Sequence, residues 1–327
     1  MSELRKDPTQ GQWVLVRPPQ AVSEWGEECP YCPGNEPLTP PEIAAYRKEG
    51  SAPNSPGWEV RVVPELDPHF RVEWELVREG VGMYDKITPR GASELIIESP
   101  SHDDSLASMR EEQLERVLWM YADRIKDLKR DTQIRDVLVT RQHRTPDGQI
   151  THPRSQLTAI PIIFDDVRRE LQECRVYYQY KKRCVFCDVV HQEVAAEERV
   201  VRLTQFFVVL VPYAARAPLE TWILPRQHHC AFEASSPEAL SDLSRLLSGY
   251  FRALARGFGD PPFEMVLHTV PNLASKLFRE EWATVADDYH WHLEIIVQPR
   301  RLNRVGGIFI NELAPQEAAR QLRRARV

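Results

Sequence analysis

The sequence predicts an α+β protein made of two copies of one unit, each with mostly antiparallel strands joined by hairpins and one long crossing helix. Three observations carry this. Two CxxC pairs, Cys29/Cys32 and Cys184/Cys187, open the two halves of the chain. Each pair is followed in the same order by strand-like runs, a helical stretch and another strand. Each half then closes on a strand that opens with a histidine, His152 and His290 respectively. A repeat at so long a period reads as an internal duplication, with its boundary near 165–180.

The elements follow in order. The first 60 or so residues are proline-rich and loop-like, as in CPYCPGNEPLTPPE and SAPNSPGW. Alternating apolar runs at 58–63 and 94–99 predict strands. From Leu106 to Lys129, the spacing of Leu106, Met109, Leu114, Val117, Leu118, Tyr121, Ile125 and Leu128 predicts an amphipathic helix. A strand at 135–140 leads through the polar turn PDGQ into THPRSQLTAIPII. In the second half, strands are predicted at 206–212 and 221–225, a helix over Pro237–Ala255, and strands at 263–270 and 289–299.

Composition narrows the function classes. The chain has 327 residues, 42% hydrophobic and 28% charged, an ordinary globular balance with enough apolar material for a sizeable core. A net charge of -6, with arginines scattered among acids, excludes bulk capture of nucleic acid by charge. No apolar stretch approaches the ~20 residues that span a bilayer. The opening MSELRKDPTQGQW has no apolar leader region, so a cytoplasmic protein is expected. In a reducing compartment, CxxC pairs serve as metal ligands or redox dithiols more often than as disulfides. Cys174 and Cys230 have no such neighbour and read as ordinary small side chains.

Two thiolates on one side of a turn suit tetrahedral zinc, which then needs two further ligands. In the first half the candidates are His102, after the 94–99 strand, and His152. In the second they are His228 or His229, after 221–225, and His290. Counting from the preceding strand makes His102 and His228 equivalent, which favours His228. Four protein ligands leave no position for water, so both sites are expected to tie loops to the sheet rather than to act as Lewis acids.

At this point the residues resemble a family. LRKDPTQGQWVLVRP, ECPYCPGNEPLTPPEI, GASELIIESPSHD and HPRSQLTAIP are similar, in this order, to segments of the galactose-1-phosphate uridylyltransferase family. So are RAPLETWILPRQH, YHWHLEII and INELAPQEAARQLR, and the resemblance runs from about residue 4 to about 323. It implies tandem histidine-triad-like domains, at 1–170 and 171–327, each an antiparallel half-barrel sheet with flanking helices. It implies one zinc per domain, on Cys29, Cys32, His102 and His152 and on Cys184, Cys187, His228 and His290. It further implies a homodimer acting as a nucleotidyltransferase on nucleotide sugars and sugar phosphates, as in galactose metabolism.

The chain departs from the family at one decisive position. The family's nucleophile, the second histidine of an HPH segment, corresponds to Arg154. A guanidinium stays protonated and offers no lone pair for attack on phosphorus, although it binds phosphate bidentately. Glu65 stands for an asparagine that meets the nucleotide, and Gln20 stands for an arginine. The small, glycine-rich phosphate loop becomes TRQHRTPDGQIT at 140–151. Gln156 and its partner Ser155 match residues beside the phosphoryl group. Superposing HPRSQ on HWHLE places His292 at the nucleophile position of the second repeat, as a reactive histidine, a metal ligand or a packed polar residue. Glu294 continues the same face. Two readings follow: a transferase with an altered or relocated nucleophile, or a non-catalytic zinc protein binding a nucleotide, sugar phosphate or protein partner. A third, a dithiol redox protein, is disfavoured by the histidines that accompany each CxxC.

Overall fold

Strand alternation and helix period become particular elements in a computed structural model, which describes residues 2–19, 28–144, 151–275, 282–298 and 302–326. Gln20 and half of the 140–151 loop, residues 145–150, lie outside the described residues. A small outer sheet comes first, from β1 (Glu3–Lys6) and β2 (Trp13–Val16). The first half then supplies β3 (Ala44–Arg47), β4 (Trp58–Pro64), the outer-sheet hairpin β5 (Arg78–Val81) and β6 (Tyr84–Ile87), and β7 (Ala92–Ile97). Helix α1 (Glu111–Leu128), β8 (Asp136–His143) and β9 (Arg154–Ile160) follow. Helices α2 (Asp165–Lys181) and α3 (Val185–Ala196) lead into β10 (Val200–Leu203), β11 (Phe207–Leu210) and β12 (Thr221–Pro225). The chain closes with α4 (Pro237–Phe258), β13 (Phe263–His268), the short α5 (Val285–Asp288), β14 (His292–Val297), β15 (Asn303–Val305), β16 (Ile308–Ile310) and α6 (Pro315–Arg324). Among the described residues, no helix is long and apolar enough to cross a membrane.

The main sheet is antiparallel, ten strands in the order β10-β11-β12-β14-β13-β8-β9-β7-β4-β3. Reading outward from the central β13–β8 pair, the two directions match strand for strand: β8 with β13, β9 with β14, β7 with β12, β4 with β11 and β3 with β10. The central pair sets Val266 opposite Thr140 and Met265 opposite Arg141. Side chains alternate between the faces. One face carries Val137, Val139, Leu157, Met265, Leu293 and Ile295 into the largest core cluster, under α1 and α4, which pack on each other. The opposite face is covered in the second half by α2 and α3, through Val167, Leu171, Phe186 and Val190 against Val208, Leu210 and Leu224. Full burial of each such aliphatic side chain is worth about 1.5–3 kcal/mol. In the first half that opposite face carries the CxxC loop instead, packed through Tyr31 onto Trp58, Val63, Leu95 and Ile97.

Several expected boundaries shift. The first long helix starts at Glu111, not Leu106. Leu106 and Met109 are buried, but from turns ahead of the helix, with Arg110 extended at the N-cap (φ -67, ψ 150). A buried approach segment mimics one more helical turn in the sequence pattern. The second helix continues past Ala255 to Phe258 and stops where Gly259 turns left-handed, at φ 74. The strand expected at 289–299 begins only at His292. The stretch 165–180, expected as a boundary, is the helix α2. Gly91 (φ +154) is required at the entry to β7, where a Cβ would run into the Ala159 carbonyl oxygen. Cys174 lies on the buried face of α2, and Cys230 is half-buried.

Candidate functional site

The first metal-binding candidate is built by the CPYCPGNE loop. Cys32 N–H bonds to the Cys29 carbonyl, the Asn35 amide donates to that same oxygen at 2.8 Å, and Glu36 accepts from Gly34 N–H and from the Trp58 indole. These bonds hold both sulfurs toward His102 and His152. Nδ1 of His152 lies 3.7 Å from Cys29 Sγ and 3.6 Å from Cys32 Sγ, and Nδ1 of His102 lies 3.5 Å from Cys32 Sγ. Tetrahedral zinc, with bonds of about 2.3 Å to sulfur and about 2.0–2.1 Å to nitrogen, sets such atoms roughly 3.5–3.6 Å apart. The other ring nitrogen of His152 meets the Ser99 carbonyl at 2.8 Å, the outer contact that orients a metal-binding imidazole. Burial pushes His152 down to about 4, keeping the ring neutral. Burial and the adjacent Cys29 push Cys32 up to about 11, so a metal must displace a proton there.

The second cluster repeats the first. Cys187 Sγ lies 3.4 Å from Nδ1 of His228 and 3.7 Å from Nδ1 of His290. The two imidazoles meet edge-on at 5.5 Å and 85°, against 5.4 Å and 84° for His102 and His152. His228 Nε2 meets the Ala286 carbonyl at 2.9 Å, the counterpart of the Ser99 contact. In both clusters the four ligand atoms lie within 4.8 Å of one another. His229 is not part of the second group. The expected turn is here the start of a helix, with Cys184 at the N-cap of α3 and Cys187 in its first turn. A hydrogen bond from Cys184 holds the Cys187 thiol below its ordinary value.

Strand alternation separates the residues of HPRSQ. Ser155 points beneath the sheet into a buried network, where its hydroxyl donates to Glu98 and meets the Tyr121 hydroxyl. The Glu98 carboxylate also receives the Tyr121 hydroxyl at 3.1 Å and Arg141 Nε at 3.0 Å. Arg154 and Gln156 lie on the opposite face. The Arg154 guanidinium sits 5.2 Å from the centre of the Tyr31 ring and donates to the His152 carbonyl at 3.3 Å. Among the described residues Arg154 has no carboxylate partner, whereas Arg141 is paired with Glu98 and Arg144 with Asp260. All three line one narrow pocket at the ends of β8 and β9. The Gln156 amide donates to Glu65 at 3.3 Å, and burial raises the Glu65 carboxyl above its ordinary value, opposed by the nearby charge of His69. His69 drew no notice in the sequence, because a lone histidine in DPHF carries no pattern.

His292 is fully buried. It stacks on His268 at 4.7 Å and 5°, with Phe186 at 4.9 Å. Burial and the His268 charge press it down to about 3. Burial opposes the charging of His268, yet Glu170 and Glu294 outweigh it and raise that imidazole to about 9. Glu170, His268, His292 and Glu294 could together hold a cation, and Arg216 already pairs with Glu294 at 2.8 Å. Sequence reading singled out His292 and Glu294 but not Glu170 or His268, which come from α2 and β13 and meet only in the fold.

No model of a known protein family matches the chain. It is 26% identical to ADP-glucose phosphorylase of Arabidopsis thaliana over 98% of this chain and 92% of that protein. It is 28% identical to galactose-1-phosphate uridylyltransferase of Thermotoga maritima over 100% of this chain and 99% of that one. A solved uridylyltransferase superposes with a TM-score of 0.80 at 27% identity, covering 99% of this chain and 98% of its own. The structure of the Arabidopsis ADP-glucose phosphorylase with bound ADP-glucose gives 0.73 at 26% identity, covering 99% of each chain. Along its whole length the chain is thus similar, in sequence and in fold, to galactose-1-phosphate uridylyltransferases and to an ADP-glucose phosphorylase.

Proposed function

We propose that the Arg154–Gln156 face binds a nucleotide sugar or sugar phosphate, in a nucleotidyltransferase-type site where an arginine holds phosphate in the place of the attacking histidine. The observation that carries this is the Arg154 guanidinium, on the open face of β9, stacked on Tyr31 and without a carboxylate partner among the described residues. Such a group makes charge-assisted, bidentate contacts to phosphate oxygens. The relatives' names, a uridylyltransferase and an ADP-glucose phosphorylase, support this substrate class. We also infer one zinc on each Cys2His2 cluster, and two domains, 1–170 and 171–327, in keeping with the sheet order that repeats outward from its centre.

Transfer through a covalent nucleotidyl intermediate needs a lone pair that Arg154 lacks. A second reading, binding without transfer, is favoured by the burial of His292, which closes the route to it as a substitute nucleophile. The test is intact mass after incubation with UDP-glucose or ADP-glucose, for the protein and for Arg154→His, alongside calorimetric titration of both ligands. An adduct on the unaltered protein establishes a different nucleophile, with His69 the first to examine. An adduct on the variant alone establishes a binding site that Arg154 disarms. If neither forms an adduct and neither ligand binds, the proposed site is wrong.

A further inference from the structure

A second cavity lies at the other end of the central strands. Its walls include Arg135, ahead of β8, and Ile162 and Ile163, just past β9, whereas Arg154 opens β9. Seven strand residues at about 3.3 Å each put the two places roughly 20 Å apart. The cavity measures about 230 Å³. Its floor is apolar, with Ile87 and Ile162 from the seam between the outer sheet and the main sheet and Ile163 from the cluster under α2. Two tryptophans line it, Trp13 from β2 and Trp282 from the segment before α5. Trp13 is half-buried, with the Lys6 ammonium 5.9 Å from its ring centre. Trp282 is 4% exposed, and its indole N–H has no hydrogen-bond partner among the described residues.

The polar lining of this cavity is cationic, and no carboxylate is among the described residues that line it. Arg168 pairs with Asp165 at 2.9 Å, but Lys6 and Arg78 have no salt bridge among the described residues. Positive side chains gathered around an apolar floor raise the local potential for anions. A buried indole N–H without an acceptor costs about 1–3 kcal/mol, a cost that a small turn of the ring onto an incoming oxygen or ring nitrogen would remove. Tryptophan faces take flat rings, with stacking worth about 1–3 kcal/mol per base.

We propose that this cavity is a second ligand site, separate from the Arg154 face, which takes a small ring-bearing phosphate such as a purine nucleoside monophosphate. The base lies against the tryptophans and the phosphate meets Lys6 and Arg78. The site does not depend on the function assigned to the Arg154 face.

Calorimetric titration with AMP, adenosine and inorganic phosphate tests it. AMP is expected to bind the unaltered protein and Arg154→Ala with equal affinity, and to bind Arg78→Glu at least tenfold more weakly. Trp282→Phe keeps the ring and removes only the unsatisfied donor, so it is expected to fold and to weaken AMP several-fold. Adenosine and phosphate alone are each expected to bind far more weakly than AMP. The proposal is overturned if AMP does not bind, or if Arg78→Glu and Trp282→Phe both bind it as the unaltered protein does. It is equally overturned if Arg154→Ala alone abolishes binding, which places AMP on the other face, or if adenosine binds as well as AMP.

Discussion

Glu98 is 0% exposed, and its carboxylate receives Ser155, Tyr121 and Arg141 at once. Arg141 is itself 3% exposed, so this is an ion pair removed from water, sustained by its hydrogen bonds rather than by charge alone. Deleting one partner leaves the other charged and buried. Glu98→Ala is therefore expected to lose about 3–5 kcal/mol of stability in urea unfolding. A loss under 1 kcal/mol would show that water reaches Arg141 and that the network is not the anchor it resembles. The same alternation that buries Ser155 turns Arg154 and Gln156 outward. A residue two places along a strand shares a face and its immediate neighbour does not, which is why HPRSQ contributes two residues to the candidate site and one to the core.

Helix α4 illustrates which parts of an element a sequence discloses. Its apolar positions, among them Leu240, Leu243, Leu247, Tyr250, Phe251 and Leu254, recur at helical spacing and are all buried. Its start is equally legible: Ser236 accepts the Ala239 N–H at 3.2 Å, with Pro237 in the first turn. Ser236→Ala removes that acceptor and is expected to cost about 1 kcal/mol, read as a lower thermal midpoint with the fold unchanged. An unshifted midpoint would mean that water caps this helix equally well. By contrast α1 has no side-chain cap, and nothing in Leu106–Arg110 separates a buried turn from a helical one. Helices α2 and α3 escaped the periodicity reading for a related reason. Each buries few side chains, Val167, Leu171 and Cys174 in α2 and Phe186, Val190 and Glu193 in α3, so their apolar stripes are thin.

At the scale of the whole molecule, the two Cys2His2 clusters tie distant parts of the chain together. Cys29 and His152 are 123 residues apart, and Cys187 and His290 are 103 apart. Metal that binds only the folded chain adds its binding energy to stability. Metal analysis of the purified protein is expected to return two zinc ions per chain, and chelation to lower the thermal midpoint by many degrees. The pH dependence has a definite sign. In the metal-free fold, burial holds His152 down at about 4, against near 6.5 when unfolded, so the unfolded chain binds the extra proton between these values. Its contribution is complete above pH 6.5 and is lost as pH falls toward 4, with metal released over the same range. A thermal midpoint that is flat from pH 7 to 4 and indifferent to chelator would remove zinc from the account.

Features that depend on local spacing are legible along the chain: the paired CxxC motifs, the histidines at matching points, the long strands and helices, and the arginine where a histidine was expected. Each of these is visible because period, turn chemistry and side-chain type act over a few residues. Which distant groups meet is set by the folded arrangement. Glu170 and His268 join His292 because α2 carries Glu170 to within 3.5 Å of His268 on β13 and 3.8 Å of His292 on β14. The cavity between Trp13 and Trp282 exists because the outer sheet docks beside the end of β9. Such contacts are set by the packing of whole layers, and packing between segments a hundred residues apart leaves no periodic trace along the chain.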